Sequence, residues 1–125
     1  MIRLTTAVAA VLAAIVLSST ASARPAAIPV LKGTVGPGFT ISLKKNGAKV
    51  TKLKAGLYKF VIADKSSIHD FVIEKQAAHG LERQLTTVSF VGTKSKLAPI
   101  RLTKGKWKFY CKPHESSMFG FFTVT

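Results

Sequence analysis

The chain has 125 residues, and 19 Lys and Arg against 5 Asp and Glu give it a formal charge of +14. This length allows one modest domain and leaves no room for a second, catalytic one. The single cysteine, Cys111, excludes an intramolecular disulfide and any zinc site built on several thiolates.

The first 23 residues have the three-part pattern of a secretory signal. Met1-Ile2-Arg3 is a short positive start, residues 7–17 are apolar, and Ala21-Ser22-Ala23 are small. The apolar run is shorter than the roughly 20 residues that cross a bilayer, which disfavours a transmembrane anchor. We therefore predict cleavage near Ala23 and an exported protein (periplasmic, cell-envelope or secreted) without a transmembrane span. Loss of Arg3 lowers the formal charge of the mature chain to +13.

The mature chain has the pattern of a β-sandwich. Residues 24–34 are predicted to be an extended leader, because Pro25 and Pro29 exclude a helix and a central strand. In residues 35–125 apolar side chains alternate in short runs that end at turn signals. The first run, Phe39 to Leu43, precedes the turn dipeptide Asn46-Gly47. Further runs cover residues 57–62, 71–73, 88–90, 97–102, 107–111 and 119–124, and only residues 74–84 could hold a helical turn. We predict an all-β fold, an antiparallel Greek-key sandwich of seven to eight strands.

The two faces of the strand at residues 104–111 differ clearly. One face carries Lys104, Lys106, Lys108 and Tyr110, and the other carries Trp107, Phe109 and Cys111. Cys111 is therefore predicted to enter the core where the strand ends and a loop begins. We expect Trp107 to be a core residue rather than an electron relay.

Three metal-binding side chains follow one another in this loop. Cys111, His114 and Met118 lie within eight residues, and Cys111 and Met118 are the only sulfur side chains left after removal of the signal. Thiolate, imidazole and thioether together are typical of the trigonal copper site with two His, one Cys and a long axial Met. The second His is either His69, at the mouth of a predicted strand, or His79, in a loop-like stretch.

With these residues the chain resembles a cupredoxin, a blue copper protein of the plastocyanin, pseudoazurin and amicyanin kind, over about residues 35–125. The resemblance implies one type 1 copper ion, cycling between Cu(I) and Cu(II), with His69, Cys111, His114 and Met118 as ligands. It also implies that the protein carries single electrons and is not an enzyme, with His114 on the exposed loop as the electron's route.

Two residues beside the ligands distinguish this chain. Asp70 stands where the family has Asn, and it can still accept hydrogen bonds that join the ligand loops. Pro113 has no N–H to donate to the Cys111 sulfur. A negative charge and a missing donor both favour the oxidised ion, so we expect a low reduction potential for a blue copper site.

The basic surface predicts the kind of partner. Lys104, Lys106 and Lys108 form a stripe outside the strand that delivers Cys111, and Lys112 lies in the ligand loop. We expect these lysines to steer an acidic redox protein to a monomeric carrier. Nucleic acid is disfavoured by export and by the lack of an aromatic and basic binding motif.

Other functions remain open at the level of sequence. The chain could sequester or deliver copper outside the cytoplasm, or it could be a metal-free cationic module that binds the cell envelope. A catalytic Cys–His pair would need a cleft for which a domain of this size has little room. A copper enzyme would need more His residues than the three present.

Overall fold

The computed structural model describes residues 14–22 and 24–125. The predicted signal, residues 1–23, lies largely outside the described residues, so the signal and its cleavage at Ala23 stay predictions. No helix in the described part of the chain is long and apolar enough to cross a membrane.

The described chain forms eleven strands and one short 3-10 turn. In chain order they are β1 (Val30–Val35), β2 (Ile41–Lys45), β3 (Ala48–Lys49), β4 (Lys52–Leu53), β5 (Gly56–Asp64), β6 (Phe71–Lys75), β7 (Glu82–Thr86), β8 (Gly92–Lys94), β9 (Ile100–Leu102), β10 (Gly105–Tyr110), the turn Lys112–His114 and β11 (Phe119–Val124).

These strands form two sheets packed face to face. The first, sheet A, has the order β3-β2-β1-β5-β8 with β9 also beside β5, and the second, sheet B, has the order β4-β11-β10-β6-β7. The predicted all-β sandwich is confirmed. The structure has eleven strands rather than the seven to eight predicted. It is also not purely antiparallel, because β1 runs parallel to β5 and β4 runs parallel to β11. Four strands have only two or three residues, which is too short for an alternating pattern to be visible.

Three segments differ from the sequence prediction. The strand β1 begins at Val30, inside the predicted leader, and Pro29 is accommodated because it directly precedes the strand. The strand β7 occupies residues predicted as a possible helical turn, and its first three residues are polar and exposed because it lies at the sheet edge. Residues 88–90 form a turn rather than a strand, and only residues 100–102 of the predicted run at 97–102 are extended in a sheet.

Aromatic side chains fill the space between the sheets. The rings of Phe71 and Phe109 stack with centroids 6.1 Å apart, and those of Trp107 and Phe122 stack at 6.3 Å. Trp107 is fully buried, which confirms its predicted place in the core. Gly33 in β1 leaves the room that this packing needs, since a Cβ there would lie 2.7 Å from Ile62 Cδ1 and from the Phe71 ring.

We predict that Gly33→Ala destabilises the fold by about 1–3 kcal/mol, because the added methyl overfills the contact between the sheets. Thr34→Ala on the same strand is the control, since its side chain is only half-buried. Denaturant unfolding of both variants measures the effect. Equal stability of Gly33→Ala and the wild type would show that the Phe71 ring is not confined at this position.

Candidate metal centre

The strand registers bring the predicted ligand segments to one end of the sandwich. Tyr110, the last residue of β10, lies opposite Val72 on β6 and Phe119 on β11. The next residue, Cys111, therefore meets the chain just before β6 and just before β11. Its N–H donates to the Met118 carbonyl oxygen at 3.0 Å, which closes the loop between them.

Three donor atoms face one another there. His69 Nδ1 lies 3.1 Å from His114 Nδ1, and Cys111 Sγ lies 3.6 Å from each of these nitrogens. The point equidistant from all three atoms is about 2.0 Å from each, close to the metal–ligand distances of imidazole and thiolate sites. Cys111 and His69 are buried and His114 is half-buried. This group can hold one metal ion.

The choice between the two candidate histidines is decided by their positions. His69 contributes a ring nitrogen to the cluster. His79 lies exposed in a turn, with a backbone φ of 56°, and is not part of the cluster.

A backbone contact orients the His69 ring. His69 Nε2 lies 2.7 Å from the Gly38 carbonyl oxygen, which can only accept a hydrogen bond. The proton therefore resides on Nε2, and the lone pair of Nδ1 points toward Cys111 and His114. Such an outer contact fixes both the tautomer and the direction of a ligating imidazole.

Phe39 is a site residue that the sequence pattern assigned wrongly. The sequence predicts it as the first residue of an alternating strand, but it lies before β2 and is 61% exposed. Its ring meets the rings of His69 and His114 edge-on, at centroid distances of 5.5 and 5.0 Å. The preceding Gly36-Pro37-Gly38 is the signal for a loop at this position, since such residues interrupt strands.

The ligand loop is held by its own backbone. His114 N–H donates to the Cys111 carbonyl oxygen at 3.1 Å, and the His114 carbonyl oxygen accepts from Met118 N–H at 2.9 Å. Pro113 lies inside the 3-10 turn, where a missing N–H is tolerated. Met118 is fully buried in the same core as Cys111. Its role as fourth ligand stays a prediction.

Asp70 joins the two halves of the site. One oxygen of its buried carboxylate accepts from the Lys112 N–H at 2.6 Å, and the other accepts from Gln84 Nε2 at 2.8 Å. Asp70 follows His69 and Lys112 follows Cys111, so this hydrogen bond ties one ligand segment to the other. Asp70 therefore accepts hydrogen bonds that join the two segments, and its role beside a metal ion stays a prediction.

The environment of the Cys111 sulfur favours its neutral form in the metal-free protein. Burial raises the pKa of the thiol, and the negative charge of Asp70 adds to this. The backbone N–H groups of Asp70 and His114 act in the opposite direction and lower the pKa. A metal ion that binds the thiolate must therefore displace a proton.

A second carboxyl group is buried near the site. Asp64 ends β5, and its Oδ1 accepts from the Ser66 N–H at 3.2 Å, while Oδ2 has no hydrogen-bond partner among the described residues. Burial raises the pKa of Asp64, against the lowering effects of Thr86, Ser66 and His69.

Two of the lysines predicted to dock a partner are already paired. Lys108 Nζ lies 2.7 Å from Glu115, with only 14% of its side chain exposed, and Lys112 Nζ lies 2.5 Å from Glu82. Lys106 Nζ lies 4.2 Å from the centroid of the Phe121 ring. Lys104 is exposed. The role of these four lysines in docking stays a prediction, and the ion pairs weaken the field expected of the stripe.

The chain was compared with protein-family models, curated proteins and solved structures. No protein-family model matches the chain, and no curated protein matches its sequence. A solved structure of rusticyanin from Thiobacillus ferrooxidans is similar, with 21% identity and a TM-score of 0.48 over 77% of this chain and 76% of that one. The sandwich and the His–Cys–His cluster described above are the features that the sequence led us to expect. The structure brings together the His, Cys and His side chains on which the resemblance of the sequence to the cupredoxins rests.

We predict that Asp70→Ala lowers the free energy of unfolding by about 1–3 kcal/mol, because it leaves the Lys112 N–H without its acceptor. Asp70→Asn keeps an acceptor oxygen for that N–H and is expected to remain close to the wild type. Unfolding of the metal-free variants measures this difference. Equal losses in both variants would mean that the negative charge, rather than the acceptor, stabilises the loops.

We predict that Asp64→Asn stabilises the protein at neutral pH. A raised pKa means that the folded state holds the proton more tightly than the unfolded state, so stability declines as the pH rises from about 4 through the raised value. The Asp64→Asn variant does not lose stability in this way, so it should be more stable than the wild type at neutral pH. The difference in stability should disappear below about pH 4. The free energy of unfolding, measured across this pH range, tests the direction of the effect. The variant Glu115→Gln, at an exposed carboxylate, is the control. A variant less stable than the wild type at neutral pH would contradict the prediction.

Proposed function

We propose that the protein is an exported blue copper protein that carries single electrons between redox partners. The observation that carries the proposal is the arrangement of His69 Nδ1, Cys111 Sγ and His114 Nδ1 within 3.6 Å of one another. The proposed ligand set also includes Met118, a buried residue at the end of the same loop.

The donor types favour copper. Two imidazoles and a thiolate, with a weak thioether, are the set that blue copper sites use. Structural zinc sites are closed by four strong ligands, and here a thioether would have to supply the fourth. Copper bound by these residues would supply one-electron chemistry.

The surroundings of the donors favour electron transfer over catalysis. His69 is fixed by the Gly38 carbonyl, and the loop of Cys111 and His114 is fixed by Asp70 and by backbone hydrogen bonds. Donors held in place by such contacts need little rearrangement when the charge of the centre changes. Cys111 and Met118 both lie in the buried core, so the thiol faces packed protein rather than a cleft for a substrate.

His114 is the route that we propose for the electron. It is the only one of the three clustered ligands that is not fully buried, and the exposed Phe39 lies beside it. An electron can therefore reach the centre through an imidazole at the protein surface, while the Cys111 thiolate remains protected from solvent.

One equivalent of Cu(II) added to the purified protein is expected to produce an intense blue colour and a copper resonance with narrow hyperfine splitting. Cys111→Ser should abolish both, because the colour arises from the thiolate. His79→Gln is the matched control and should leave both unchanged, since His79 lies outside the cluster. Colourless, weakly bound copper in the wild type would overturn the copper proposal.

Voltammetry of the copper-loaded protein distinguishes a carrier from a protein that sequesters or delivers copper. Fast and reversible electron exchange with firm retention of the metal is expected for a carrier. Slow exchange, with copper readily lost to a chelator, would contradict electron carriage and leave the metal site itself intact.

We further predict that Asp70→Asn raises the reduction potential. The buried carboxylate of Asp70 lies beside the Cys111 loop, and its negative charge favours the oxidised ion. The asparagine removes the charge and retains an acceptor. A potential that does not rise in this variant would exclude Asp70 as a cause of a low potential.

A further inference from the structure

The outer surface of sheet A carries a group of basic residues that the metal centre does not use. Paired residues on neighbouring strands point to the same side of a sheet, and the registers pair Lys32 with Lys44 and Lys44 with Lys49. These three lysines therefore form a row across β1, β2 and β3. With strands about 4.8 Å apart, the row is about 10 Å long.

Two more basic residues extend the row on the same side. Lys59 on β5 lies opposite Val30, and Arg101 on β9 lies opposite Leu57. All five basic residues are exposed. We call them the cationic face: Lys32, Lys44, Lys49, Lys59 and Arg101.

No acidic side chain compensates this face. The only acidic residue in the strands of sheet A is Asp64, which is buried. The ion pairs among the described residues involve Lys108 and Lys112, both in the other half of the molecule. Like charges placed directly opposite one another destabilise a strand pair. The fold thus retains a repulsion that an external negative charge would relieve.

The shape and the apolar content of the face favour an extended, flat partner. The row crosses several neighbouring strands, and the exposed side chains of Val30 and Leu57, 46% and 38% accessible, lie among the cations. A groove beside the row is lined in part by Lys49 and Leu57. Basic residues with interspersed aliphatic groups suit the headgroup region of an anionic bilayer. An acidic protein would instead present discrete carboxylates at fixed positions, whereas the lysines here form a continuous row across three strands.

The face is separate from the metal centre. The ligands lie at the end of the sandwich beyond Val35, whereas the lysine row crosses β1 at Lys32, about 10 Å along the strand. When a membrane binds the face, His114 at the end of the sandwich stays accessible to a second partner.

We propose that the cationic face binds the surface of an anionic phospholipid bilayer and holds the protein there with its metal centre free. The proposal does not depend on the identity of the metal. The attraction is electrostatic and therefore weakens as salt is raised.

Co-sedimentation with vesicles tests the proposal. We compare phosphatidylcholine vesicles with vesicles of phosphatidylcholine and phosphatidylglycerol, using the wild type and two triple variants. One variant changes the face (Lys32→Gln, Lys44→Gln, Lys49→Gln), and its control removes equal charge outside the face from exposed lysines (Lys96→Gln, Lys104→Gln, Lys106→Gln). All three proteins keep the same N-terminus, so any lipid affinity of the apolar N-terminal run is equal in all of them.

The wild type is expected to bind only the vesicles with phosphatidylglycerol, and added salt is expected to release it. The face variant should bind about 100-fold more weakly, because each basic residue near an anionic surface contributes roughly fivefold. The control should bind nearly as well as the wild type. Lys44→Gln alone should raise stability in low salt because it removes the repulsion within the row, and unfolding curves show that the variants fold.

Equal weakening in the two triple variants would overturn the proposal, since net charge rather than the face would then decide binding. A wild type that binds soluble dextran sulfate but not the anionic vesicles would also overturn it, and would assign the face to acidic polymers. Binding to vesicles that added salt does not release would show that the apolar N-terminal run, not the face, is responsible.

Discussion

The hydrogen bond from the Lys112 N–H to the buried Asp70 carboxylate is the interaction on which the arrangement of the donor atoms depends. It joins the residue after His69 to the residue after Cys111, two segments that are distant in sequence. A buried carboxylate that loses its partners is costly, so the contact resists rearrangement. Gln84, which donates to the second carboxylate oxygen, extends the constraint to the edge strand β7.

The sandwich places the two sides of the centre in different surroundings. Cys111 and His69 lie in the core, whereas His114 lies at the surface beside Phe39. Burial makes the thiol a weaker acid, and metal binding must offset that cost by exchanging a proton for a cation. The same burial keeps solvent from the sulfur. The same contacts therefore govern both the acidity of the thiol and its protection from solvent.

The net charge of +14 is distributed unevenly over the fold. Glu74, Glu82 and Glu115 lie on sheet B or in the ligand loop, where they pair with or lie near lysines, and Asp64 and Asp70 are buried. In the strands of sheet A, the charged residues on the outer side are all basic. The lysines beside the ligand strand are thus the weaker half of the positive field, and the opposite sheet carries the uncompensated part.

The sequence by itself determined the features that lie within one strand or one loop. Alternation in β10 placed Cys111 on the core side, and the order of Cys, His and Met predicted a metal loop, because these patterns depend only on neighbouring residues. The structure brings His69, which the resemblance already implied, into the cluster. The tertiary structure alone decided that Phe39 lies beside the two histidines and that β1 and β7 complete the sheets. Those features depend on registers between distant strands, and pairing partners leave no periodic signal in a single sequence.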